Sequence, residues 1–185
     1  MVKKTELAVI EGANTTPLVT DNVNFFTKSF LISACAHLEM CIKEIVFELA
    51  ADIDARLSMA AIPASIVEWR LTQKKRTETN SGGKPLLRVN MTKKEVDDMV
   101  SGNVYRTREA LAIVGVELSD NKEQWESWKD SIQAIVTRRN NIVHHNDDAS
   151  DLSMGDIKVH IQSIINYIDF VVAACLTQKI PSSQT

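Results

Sequence analysis

The sequence predicts an all-α fold, an up-and-down helical bundle, and three observations predict it. Only 6 Gly and 4 Pro interrupt 185 residues, about half the usual share, which favours long helices over a sandwich that turns every ten residues or so. Apolar residues recur at spacings of three and four over long stretches, the period of a helix with one buried face. Capping signals stand ahead of several of those stretches, where a side-chain oxygen accepts from the first free amides of a helix. A chain of this length buries on the order of two-thirds of its unfolded surface as one domain.

Taken in order, residues 1–20 read as a polar arm with Pro17 and one short apolar run at 7–10, a strand or a loose segment. A single helical domain then spans 21–178. From Asp21 as N-cap, Phe26, Phe30, Leu31, Ala34, Leu38, Cys41, Ile42, Ile45, Val46 and Leu49 mark a long amphipathic helix running toward Leu57. Pro63, at a first-turn position, opens a shorter helix to about Lys75. Residues 79–85 are the main cluster of turn formers and read as a loop, part of an insertion of loops and short helices ahead of the next long helix. Thr92 and Glu95 form a capping box for a helix to about Val100, and Asn103 or Thr107 starts another that ends near Gly115. Asp120 and Glu123 open a helix with the stripe Trp125, Trp128, Ile132, Ile135 and Val136. Ser153 and Asp156 open the last, with Ile157, Ile161, Ile164, Ile165, Ile168, Val171, Val172 and Cys175 on one face. Residues 179–185 read as a frayed tail.

Charge and cysteine usage narrow the function. The net charge of −3 and pI near 5.8 exclude a general polyanion binder, so any nucleic-acid contact is local. Segment 72–94 is the local exception, with Lys74, Lys75, Arg76, Lys84, Arg88, Lys93 and Lys94 against Glu78 alone. Such a segment suits a phosphate backbone, and it equally suits a solvated loop. The uncharged apolar run at 170–176 is far short of the roughly 20 residues of a membrane span, and the N-terminus has no apolar signal core, so no membrane is expected. Three cysteines without Cys-x-x-Cys spacing exclude a disulfide framework and a zinc ribbon and fit the cytoplasm.

The stretch that carries chemistry is Arg138-Arg139-Asn140-Asn141-Ile142-Val143-His144-His145. Arg139 follows Trp128, Ile132 and Ile135 at steps of four, three and four, so a guanidinium stands where the stripe would place an apolar residue. A cation at the edge of a core needs a partner, and a phosphate is one. Histidine exchanges a proton near neutral pH. An arginine with a histidine is therefore sufficient equipment for cleaving RNA without a metal, the imidazole moving protons and the guanidinium stabilising the phosphorane-like charge. On a regular helix, residues five apart point about 140° from each other. Arg139 and His144 meet at one phosphate only if the helix loosens near its end or a second copy completes the site.

Arg139-Asn140-Asn141-Ile142-Val143-His144 resembles the signature of the HEPN superfamily, an Arg followed by a polar residue and, four to six residues on, a His near a helix end. The all-helical pattern over residues 20–178, the early helix with His37 and Glu39, and the apolar helix after the motif agree with it. Within the superfamily the chain is most similar to stand-alone, defence-associated members. The resemblance implies a metal-independent, cofactor-free endoribonuclease acting on RNA as a homodimer, a toxin or abortive-infection effector with an antitoxin or defence partner. Arg139 and His144 would be the catalytic pair and Asn140 the polar helper, with His37 or Glu39 in support. Arg138 with His144, and Arg139 with His145, also satisfy the spacing, so the doublets leave the register open. The alternative is a non-catalytic module of the same type that binds a protein, nucleotide or RNA. The doublets can also be cations placed at the negative end of the helix dipole.

Overall fold

The computed structural model describes residues 21–72, 86–145, 149 and 151–178. The N-terminal arm with its short apolar run, the tail, and Lys74, Lys75, Arg76 and Lys84 of the basic segment lie outside the described residues. Six α-helices are described: α1 Val23–Ala60, α2 Ala64–Thr72, α3 Lys93–Met99, α4 Val104–Ile113, α5 Lys122–His145 and α6 Met154–Gln178. A 3-10 turn, Leu118–Asp120, precedes α5, and no strand is present among the described residues. The all-α bundle expected from the sequence is the fold.

α1, α5 and α6 pack on one another and enclose the core. α1 contributes Leu31, Cys35, Leu38, Ile42, Val46 and Leu49, α5 Trp125, Ile132, Ile135 and Val136, and α6 Ile157, Ile164, Tyr167 and Val171. The short helices α3 and α4 lie against α1 and against each other and contribute Val96, Val104 and Leu111. In α6 the buried stripe is narrower than the sequence suggested: Ile165 and Val172 are exposed, about 100° round the helix from Ile164 and Val171. Tyr167 takes their place, 1% exposed, its hydroxyl without a partner among the described residues. Burial alone pushes its phenol well above the ordinary range.

The caps account for most helix starts. Thr92 and Glu95 form the expected box, the Glu95 amide donating to Thr92 Oγ1 and the Thr92 amide to Glu95 Oε2. Ser153 and Asp156 do the same ahead of α6, and Asn103 Oδ1 accepts from the Tyr105 and Arg106 amides at α4. Two expectations shift by one residue. α5 is capped by Asn121, whose Oδ1 accepts from the Gln124 amide, because Asp120 is consumed by the 3-10 turn. α1 begins after Asn22 rather than Asp21, with no side-chain cap bond from it.

α6 also corrects the hydropathy reading. Averaged over an 18-residue window within Met154–Thr177, its mean hydropathy is 1.5, so by length and composition it is apolar enough to cross a membrane. Lys158 and Asp169 divide it into shorter uncharged runs. Its side chains Ile157, Ile164, Tyr167 and Val171 are in the bundle core, but only 28% of that window is buried, and Val159, Ile165, Val172 and Leu176 are exposed, so core packing accounts for part of the composition only.

Candidate functional site

The motif occupies the last two turns of α5. Because α5 stays α-helical through His145, its side chains fan out around the helix by about 100° per residue. Ile142 continues the buried stripe, and the two arginines leave it on different sides.

Arg139 turns toward α1. Its side chain is 20% exposed, and Nη2 lies 3.7 Å from Glu39 Oε2, a Coulombic contact longer than a hydrogen bond. The guanidinium also acts on the buried Cys35 thiol, one turn before Glu39. Burial pushes that thiol up, and the charge and hydrogen bond of Arg139 oppose the shift. Arg139 Nε is buried without a hydrogen-bond partner among the described residues. The arginine that the sequence placed at a core position thus has a carboxylate near its tip, not bonded to it, and an unsatisfied nitrogen at its base.

Arg138 turns the other way and bonds Asp151 in the connection between α5 and α6. That ion pair ties the end of the motif helix to the start of α6. Asn140 and Asn141 are half-buried, whereas His144 and His145 are exposed on the last turn. His37 is exposed on α1.

Around Arg139 the surface forms an open groove of about 320 Å³ lined by Ala36, Glu39, Met40, Lys43, Asp97 and Arg139. Lys43 donates to Glu39 Oε1 at 2.9 Å and to Asp97 Oδ1 at 3.0 Å, so it links α1 to α3 across the groove. These bonds, the one to Glu39 most, push its ammonium above the ordinary range, against the opposing effect of burial. Lys43 and Asp97 are groove residues the sequence reading did not single out. Cys35, Glu39 and Lys43 stand four apart on one helix face, which is a readable signal, whereas Asp97 comes from a helix some 50 positions later and has none. Among the described residues no three His, Cys, Asp or Glu side chains converge as a metal site would require.

The described part of the basic segment is already engaged in places. Arg88 donates from Nε at 2.9 Å and Nη2 at 2.5 Å to the two oxygens of Asp54. Lys93 lies over the Phe47 ring, 5.4 Å from its centroid, and Lys94 is exposed.

No curated protein and no solved structure matches the chain. One family model does, described as RiboL-PSP-HEPN, over residues 3–177. HEPN domains are frequently ribonucleases. The match runs through every described helix except the last residue of α6, and the motif helix lies inside it, so the chain belongs to the RiboL-PSP-HEPN family of the HEPN superfamily.

Proposed function

We propose that the protein is a metal-independent endoribonuclease, acting as a toxin or phage-defence effector in the cytoplasm, in a homodimer whose two motifs share one cleft. The observation that carries this reading is the division of the motif. Arg139 stands at a groove while His144 is exposed on the same regular helix, about 140° away. With no loosening of α5 to bring them together, a second copy is what supplies both groups to one phosphate.

An exposed apolar face supports the pairing. Phe25, Ile32, Ala36 and Met40 follow one another at steps of seven, four and four along α1, all exposed, and the last two line the Arg139 groove. Covering this stripe would bury apolar surface and close the groove together.

In the proposed reaction one His144 imidazole takes the proton of a ribose 2′-hydroxyl. The 2′-oxygen then bonds phosphorus, the bond from phosphorus to the 5′-oxygen breaks, and that oxygen takes a proton from the other, protonated His144. The products are a 2′,3′-cyclic phosphate and a free 5′-hydroxyl. Arg139 stabilises the charge on the pentavalent phosphorus, Asn140 helps to orient the phosphate, and Arg138 holds the helix end through Asp151. His145 is the alternate base if the register is shifted by one.

A second reading has its own observation. Arg139 already faces the Glu39 carboxylate, as it would in a non-catalytic module that binds a partner protein, nucleotide or RNA. Cleavage of single-stranded RNA in EDTA separates the two. The expected result is cutting that Arg139→Ala and His144→Ala each reduce by about a hundredfold or more with helical content unchanged. No cleavage by the unmodified protein, or cleavage only with added magnesium, overturns the proposal.

A further inference from the structure

The Arg139 groove holds two cations and two carboxylates, and their bonding is uneven. Glu39 offers two oxygens. Lys43 takes Oε1 in a hydrogen bond of 2.9 Å, and Arg139 reaches Oε2 only at 3.7 Å. An arginine facing a lone carboxylate ordinarily closes on it with two parallel N–H donors. That closure is absent here, and Lys43 holds Oε1, one of the two oxygens it would need. Lys43 is itself fixed from the opposite side by Asp97, the two side chains meeting at 3.0 Å. Its own side chain is 24% exposed and Glu39 27% exposed, so that bond is partly sheltered from water and holds better than a surface pair, whereas Asp97, 61% exposed, is the weaker of the two anchors.

The consequence concerns what Arg139 is free to bind. A guanidinium in a two-donor grip with a carboxylate has spent the nitrogens that would meet a phosphate, and breaking that grip would oppose substrate binding. With Glu39 held by Lys43, the Arg139 tip stays near a negative charge without being bonded to it. We infer that Lys43 is a positioning residue which, anchored by Asp97, occupies the Glu39 carboxylate and so keeps Arg139 available to a phosphate group. Lys43 need not touch the substrate to do this, and the role rests on the ribonuclease reading only in what the phosphate belongs to.

The test is a double-variant cycle with a structural readout beside it. Lys43→Gln frees the carboxylate, and cleavage should fall about tenfold, a loss in keeping with an indirect effect rather than removal of a transition-state contact. Adding Glu39→Gln to Lys43→Gln removes the competing acceptor and should recover most of that loss, an outcome that a merely structural role for Lys43 would not give. Asp97→Asn should reproduce a smaller part of the loss. In parallel, side-chain nitrogen NMR of Arg139 should show slower guanidinium rotation in Lys43→Gln than in the wild type and the double variant. If Arg139→Ala abolishes cleavage while Lys43→Gln cleaves at the wild-type rate, or if the double variant is no better than Lys43→Gln, the inference is wrong. If the wild type cleaves no RNA, the ribonuclease reading fails, and the NMR comparison still decides what Lys43 does.

Discussion

α1 is two regions in one helix. Through Ala50 it buries eight residues against the rest of the bundle, and Glu39, Met40 and Lys43 of this stretch line the Arg139 groove. Past Ala50 no residue as far as Leu71 is buried. There the end of α1 and the following α2 expose Met59 at 79% and Trp69 at 71%. This outer hairpin is held by polar ties instead: Arg88 to Asp54, and the Leu87 amide to the Ile62 carbonyl at 2.8 Å. The difference separates two duties. The inner half of α1 couples core packing to the groove, whereas the outer half can bear on other molecules at little cost to folding.

The largest effect that tests this division is on stability. Leu31 is 1% exposed in the inner half. Leu31→Ala should cost about 2–5 kcal/mol, from lost burial and the cavity left behind, and lower Tm by roughly 5–15 °C. Trp69→Ala in the outer half should stay within about 0.5 kcal/mol of wild type. Thermal unfolding of the two variants measures both, and comparable losses would show that the outer hairpin belongs to the cooperative unit.

The inner region was also the legible one. The period that placed Leu31, Leu38, Ile42 and Val46 in a stripe also buried them, because three-and-four spacing and burial on a straight helix are the same geometric fact. The anomaly of Arg139 in the α5 stripe was legible for the same reason and led to the groove. Less visible was what meets Arg139. Glu39 was one of several polar residues on α1, and Asp97 depends on how α3 docks. The hairpin's lack of a core could not be read from α2, whose Ile66, Trp69 and Leu71 look like any short helix's apolar residues until the fold leaves them facing outward. The arginine doublet separated for a simple reason: neighbours on a helix diverge by about 100°, so one reached α1 and the other Asp151.

A medium-sized effect concerns RNA. In the sequence the outer hairpin is followed directly by Lys74, Lys75 and Arg76, the densest run of positive charge in the chain. Replacing these three by Gln should weaken binding of single-stranded RNA and reduce the magnitude of its log-log salt slope by about 2, as fewer counterions are released. Cleavage at saturating RNA should stay near wild type. Fluorescence-anisotropy titrations from low to moderate salt measure this, and an unchanged slope would return the segment to a solvated loop.

The smallest expected effect is local and depends on pH. The hydrogen bonds from Arg88, with that of the Val89 amide, hold the Asp54 carboxyl well below the usual carboxylate range. A carboxyl lowered in the folded state stabilises its surroundings above its unfolded pKa and loses that contribution as pH falls through the folded one. The tie between Asp54 and the segment after Arg88 should therefore outlast ordinary surface carboxylate pairs as the solution is acidified. Arg88→Gln removes the main cause, so local opening should then begin at a higher pH. The Leu87 amide, bonded to Ile62 across this junction, reports it: its hydrogen-exchange protection should fall in Arg88→Gln at neutral pH and weaken further on acidification. Amides in the inner half of α1 should not change. Equal losses at both places would mean that the hairpin opens only with the whole bundle, and the division of α1 would fail at its boundary.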